Sequence, residues 1–158
     1  STHIYFDAKT VERVYNLCES NDGTFRVFDV DYSEGAFIAK ENVRSSVMLI
    51  RSSRPLPQFR LDREGLIEKI YHLAGFDDIN LHNHPDFSKR FYLMGDDPKQ
   101  IRTFFNDAIV GFLLESPDYH LESNGKELLI QHYTRLATVR EFEQLRVFGV
   151  ALKKIAAL

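Results

Sequence analysis

The stretch from Phe91 to Pro117, FYLMGDDPKQIRTFFNDAIVGFLLESP, limits what this chain can become more than any other. It predicts a short strand, a tight turn and one long amphipathic helix. Asp97 stands where an N-cap belongs, since its carboxylate can accept from the free amides of a first turn. Pro98 follows at the first helical position, where a missing N–H costs nothing. Gln100, three residues past the cap, extends this into a variant of the capping box. Ile101, Phe104, Phe105, Ala108, Ile109, Phe112 and Leu113 then recur at the helical period and make one face apolar. Ser116-Pro117 ends the run. A stripe bearing three phenylalanines must be buried against something, and a sheet is the expected surface.

The remaining elements point the same way. Thr10 to Cys18 reads as a helix or as a strand entering a hairpin, and residues 1–20 stay ambiguous as a whole. Asn21-Asp22-Gly23 is a strong turn signal and favours the hairpin. Thr24 to Tyr32 alternates, with Phe28, Val30 and Tyr32 expected inside and Asp29 and Asp31 outside. Ser45 to Arg51 is apolar enough for a central strand covered on both sides. Pro55-Leu56-Pro57 is a rigid connector, followed by a short extended piece, Phe59 to Leu61. Asp62 is expected to cap a helix reaching Ala74 and stopped by Gly75. Residues 76–90 read as loop. Tyr119 to Glu122 and Glu127 to Tyr133 form a hairpin across Asn124-Gly125. Thr138 with Glu141 is a capping box opening a last helix to about Leu158, striped by Phe142, Leu145, Phe148, Gly149, Leu152 and Ile155. Hairpin-linked strands beside one-faced helices predict a single α+β domain over residues 1–158. It has two layers: a mainly antiparallel sheet with about three amphipathic helices packed on it.

Composition excludes some functions. The net charge of −3 provides no basic field for nucleic acid. No apolar run reaches the roughly 20 residues of a membrane-spanning helix, so direct membrane insertion by this segment is not expected. The single cysteine, Cys18, has no internal partner, which suits a reducing, cytoplasmic setting. The chain opens on Ser1-Thr2-His3 without an initiator Met, which fits a processed chain or a piece of a longer protein.

The candidates for chemistry are few. His82-Asn83-His84-Pro85-Asp86 is the best metal pattern. On an extended segment, His82, His84 and Asp86 project to one side, and zinc accepts both imidazole and carboxylate. That spacing supports a metal-dependent hydrolase as the alternative function. The competing reading is a polar loop. Asp29 and Asp31 share a strand face and make a weaker pair, more commonly solvated than functional. Cys18 lies in no nucleophile signature. Dinucleotide, phosphate-loop and hydrolase-elbow patterns are absent, so no cofactor is expected. Arg51, Arg54, Arg60, Lys89 and Arg90 are the residues from which a small basic patch could be made, although interspersed aspartates favour a solvated surface. A small-ligand pocket under the central helix, lined by Phe and Tyr, is a further option.

The segments LPQFRLDREG (56–65) and GFDDINLHNHPDFSKRFYLMGDDPKQIRTFF (75–105) resemble a family of uncharacterised bacterial proteins. The shared pattern runs through Leu56, Pro57, Phe59, Leu61 and Glu64, then Asp78 and Ile79. It continues with His84-Pro85, Phe87-Ser88, Phe91, Leu93, Gly95 and Asp97, and closes on Ile101-Arg102 and Phe105. The likeness extends over most of the chain from about Asn16. In that family the module often accompanies membrane-spanning segments, and the resemblance brings no activity, cofactor or catalytic residue with it. It implies one folded unit of bacterial origin and supplies no function. Good folding signals, the lack of a coherent catalytic constellation and a plausible missing flank lead instead to the expectation of a non-catalytic soluble module that binds a protein partner or self-associates, or that serves as the cytoplasmic part of a membrane-associated protein whose tether lies outside this segment.

Overall fold

The structure, a computed structural model, describes residues 9–34, 41–63, 76–131 and 135–158. Their strands are β1 (Lys9–Glu19), β2 (Phe25–Glu34), β3 (Glu41–Arg51), β4 (Gln58–Arg63), β5 (Asp77–Asp78), β6 (Phe91–Gly95), β7 (His120–Asn124) and β8 (Glu127–Gln131). The helices are α1 (Pro85–Arg90), α2 (Pro98–Phe104), α3 (Asp107–Glu115) and α4 (Val139–Ala156). The strands form one antiparallel sheet in the order β1-β2-β3-β8-β7-β4-β6-β5. This is the α+β architecture expected from hairpins beside amphipathic helices.

Residues 10–18 take the strand alternative. Asp22 closes the turn by accepting from the Ser20 hydroxyl at 2.6 Å and the Thr24 amide at 3.0 Å, and Gly23 supplies the φ of +67°. At the second hairpin, Asn124 Oδ1 accepts from the amides of Lys126 and Glu127 while Gly125 sits at φ +91°. The part of the final strand beyond Gln131, including Tyr133, lies outside the described residues.

The pleat divides the sheet into two faces. One face carries Val27, Met48, Ile50, Phe59, Leu61, Leu93, Leu121, Leu128 and Ile130, and all four helices contribute to the core built on it. Phe59 is its hub, with ring centroids 5.4 Å from Phe104 and 4.9 Å from Phe105; Phe105 also meets Phe87 at 5.8 Å. Such tilted and edge-on pairs stabilise beyond their buried area. Phe112 stacks on Phe148 of α4, and Tyr119 packs tilted against the same ring. The opposite face holds a smaller cluster of Phe28, Val30, Tyr32, Val47, Leu49 and Leu129. Residues Ser45 to Ile50 are therefore buried on both sides, as their apolar run requires.

Five local expectations are corrected. The expected single helix after Asp97 is two helices. Asn106 takes extended angles and caps α3 by accepting from the Ile109 amide, a local bond that competes with continuing α2. The break rotates the second half: Val110 becomes buried and Ala108 exposed. Gln100 does not complete a capping box; its amide donates to the Asp97 carboxylate instead. Asp62 is not a helix cap but part of β4, an interior strand, and its carboxylate meets His120 across the sheet; the expected helix from there to Ala74 falls on residues outside the described set from 64 onward. Residues 76–90 are not simply loop, since they contain β5 and α1, the latter opened by Pro85 at its first position. In α4 the capping box of Thr138 and Glu141 is present, yet Ala156 rather than Ile155 completes the buried stripe.

Tight packing makes Gly95 a sensitive point. A Cβ there would lie 2.6 Å from the Gln58 carbonyl oxygen and 2.0 Å from Ile101 Cδ1. Gly95→Ala is expected to lower stability by about 1–3 kcal/mol in urea unfolding. Ile101→Val should rescue it only in part, because the backbone oxygen cannot rotate away. Asn106→Ala is expected to cost about 1 kcal/mol through loss of the α3 cap, read in the same titration.

Candidate functional site

Strand β4 alternates. Phe59 and Leu61 enter the aromatic core, so Arg60 and Asp62 must face the other way. The antiparallel neighbour β7 places Glu122 opposite Arg60 and Leu121 opposite Leu61, which sets His120 beside Asp62. Four ionisable side chains are thereby gathered by two adjacent strands. Asp62 Oδ2 accepts from Arg60 Nε at 2.6 Å, and Asp62 Oδ1 lies 2.6 Å from His120 Nδ1. His120 Nε2 lies 3.7 Å from Glu122 Oε2. Asp62 is 8% exposed and Glu122 is fully buried. A polar band continues across the same face, where Gln131 of β8 donates to Ser45 of β3 at 2.6 Å.

The electrostatics follow from this geometry. Burial alone would favour neutral forms. For Asp62, the facing His120 and then Arg60 outweigh burial and hold the carboxyl well below the usual carboxylate range. For His120, burial pulls the imidazole down, but the Asp62 carboxylate, with help from Glu122, raises it above its ordinary value of 6.5. The two directions agree on an imidazolium–carboxylate pair. An imidazolium whose nitrogens face two carboxylates has no lone pair to offer, so His120 in this state is not poised as a general base. The cluster is an electrostatic clamp between β4 and β7.

The residues singled out from the sequence go elsewhere. His82 and Asn83 form a turn rather than an extended segment, and His84 precedes α1. His84 Nε2 lies 2.9 Å from Asp107 at the start of α3, whereas the exposed Asp86 is 3.9 Å from Lys89. Among the described residues no three His, Cys, Asp or Glu side chains come together as a metal-binding group. Asp29 and Asp31 are not free in solvent. Asp29 accepts from Asn16 and Ser46, and Asp31 from Arg13 and Tyr15. Arg54 donates to the carbonyls of Ala156 and Ala157 at the C-terminal end of α4, and Arg90 to Asp118 and the carbonyls of Leu114 and Ser116. Three of the arginines assigned to a basic patch, Arg54, Arg60 and Arg90, are thus engaged in separate places. Under α2 the rings of Phe59, Phe87, Phe104 and Phe105 pack on one another. An open groove of about 340 Å³ lies by the β5–β6 edge, lined by residues including Asp78, Lys89 and Tyr92. Cys18 is exposed.

A second feature sits at the other edge of the sheet. Strand β1 is irregular at two places, between Val11 and Arg13 and between Tyr15 and Cys18. Each shift adds one residue, and Asn16 takes φ +52° at the second. The additions reset the alternation. Val11 falls opposite Tyr32 and Val14 opposite Val30, while Leu17 shares the position opposite Phe28. Three apolar residues spaced by three therefore lie along one face, beside the smaller hydrophobic cluster. They are 43%, 51% and 59% exposed, respectively.

The architecture defines the class of protein, an antiparallel α+β sheet module. Among solved structures it is similar to the crystal structure of the mycobacterial trehalose monomycolate transport factor A, TtfA. The TM-score is 0.60 and the identity 11%, over 92% of this chain and 73% of that one. At this identity the likeness is one of fold. No family model matches the sequence, and no curated protein matches it. Among the described residues no helix is long and apolar enough to cross a membrane.

The clamp yields a pH signature. His120 is raised on folding, so its contribution is complete below 6.5 and is lost as pH rises through the folded value. Asp62 is lowered from 3.8, so its contribution is present above that pH and is lost in stronger acid. Urea midpoints measured from about pH 6 to about pH 9 should fall in the native chain, and the fall should be flatter in His120→Gln. Asp62→Asn leaves the imidazolium without its closest carboxylate and is expected to cost about 3–5 kcal/mol near neutrality.

Proposed function

We propose that this chain is a non-catalytic, partner-binding module, the cytoplasmic part of a membrane-associated bacterial protein. The observation that carries the reading is the exposed row of Val11, Val14 and Leu17 on β1. Scattered exposed apolar residues are ordinary, but a row continuous with a buried cluster favours contact with another surface. The two irregularities in β1 bear on how that contact forms. Bulges at a sheet edge hinder continuous strand addition, so the side-chain row, rather than the open main chain, is the docking element.

Two further observations support a binding role. Among the described residues, the buried cluster of Arg60, Asp62, His120 and Glu122 has its charges facing one another. The fold is shared with a protein titled a transport factor, which accords with service in a bacterial transport assembly. The membrane association rests on the resemblance to modules that accompany membrane-spanning segments. The partner is another protein or a second copy of this chain.

A photo-crosslinking residue placed at Val14 or Leu17 in the chain expressed in its bacterial host tests the reading. A discrete protein adduct should form from both positions and be missing from a control at exposed Ala108. Adducts no stronger than the control's would overturn it. Preserved thermal unfolding of each variant ensures that a lost adduct is not lost folding.

A further inference from the structure

We draw no further inference here: the strongest candidate, the exposed row of Val11, Val14 and Leu17 along the edge strand β1, belongs to the partner-binding reading above, and nothing in the structure shows what covers it.

Discussion

The alternation of β4 is the constraint on which the rest depends. Successive side chains of a strand must leave opposite faces of the sheet. Phe59 and Leu61 therefore commit one face to the helices, while Arg60 and Asp62 commit the other to charge. Because β4 lies between β7 and β6, each choice is read by a neighbour. Leu121 joins the apolar side opposite Leu61, and Glu122 joins the charged side opposite Arg60. A slip of one residue would bury two charged groups in the aromatic core and send Phe59 to the polar face. The clamp and the aromatic cluster are thus two consequences of one register.

The clamp also illustrates what buried charge contributes. A buried ion pair gains little net stability over apolar packing of the same shape, yet losing one partner is costly. Its value here is in pairing. Asp62 can satisfy both His120 and Arg60 only when β4 and β7 are in the observed register, so misaligned pairings leave uncompensated charge. Asp118 plays a related part at the surface, accepting from Arg90 and lying near Arg63. Arg90 in turn binds carbonyls at the end of α3. Among the described residues, charge mostly joins elements to one another.

Signals confined to a few adjacent residues were legible. Asp97-Pro98, Thr138 with Glu141, Asn124-Gly125 and Asn21-Asp22-Gly23 all act where they stand in the sequence, because capping and turn formation need only neighbours. Where two local signals compete, the reading is harder. Asn106-Asp107 is itself a start signal, but the continuous apolar spacing around it suggests one helix; the cap prevails and two helices result. Asp62 shows the opposite difficulty. It has the look of an N-cap, yet a histidine 58 residues later takes its carboxylate. The site was almost hidden for the same reason. Arg60-Leu61-Asp62 and His120-Leu121-Glu122 each place two polar groups astride a leucine, a two-residue period that signals a shared face, but no rule of spacing says that the two triplets are adjacent.

By itself the sequence determined the class of the fold, the turns and the helix ends, since these follow from side-chain pattern and local hydrogen bonding. Only tertiary structure decided that β4 is interior, that His120 meets Asp62, and that the bulges of β1 align Val11, Val14 and Leu17. Those outcomes depend on which strands become neighbours and in what register. That is settled by cooperative burial of the whole sheet rather than by any segment of it.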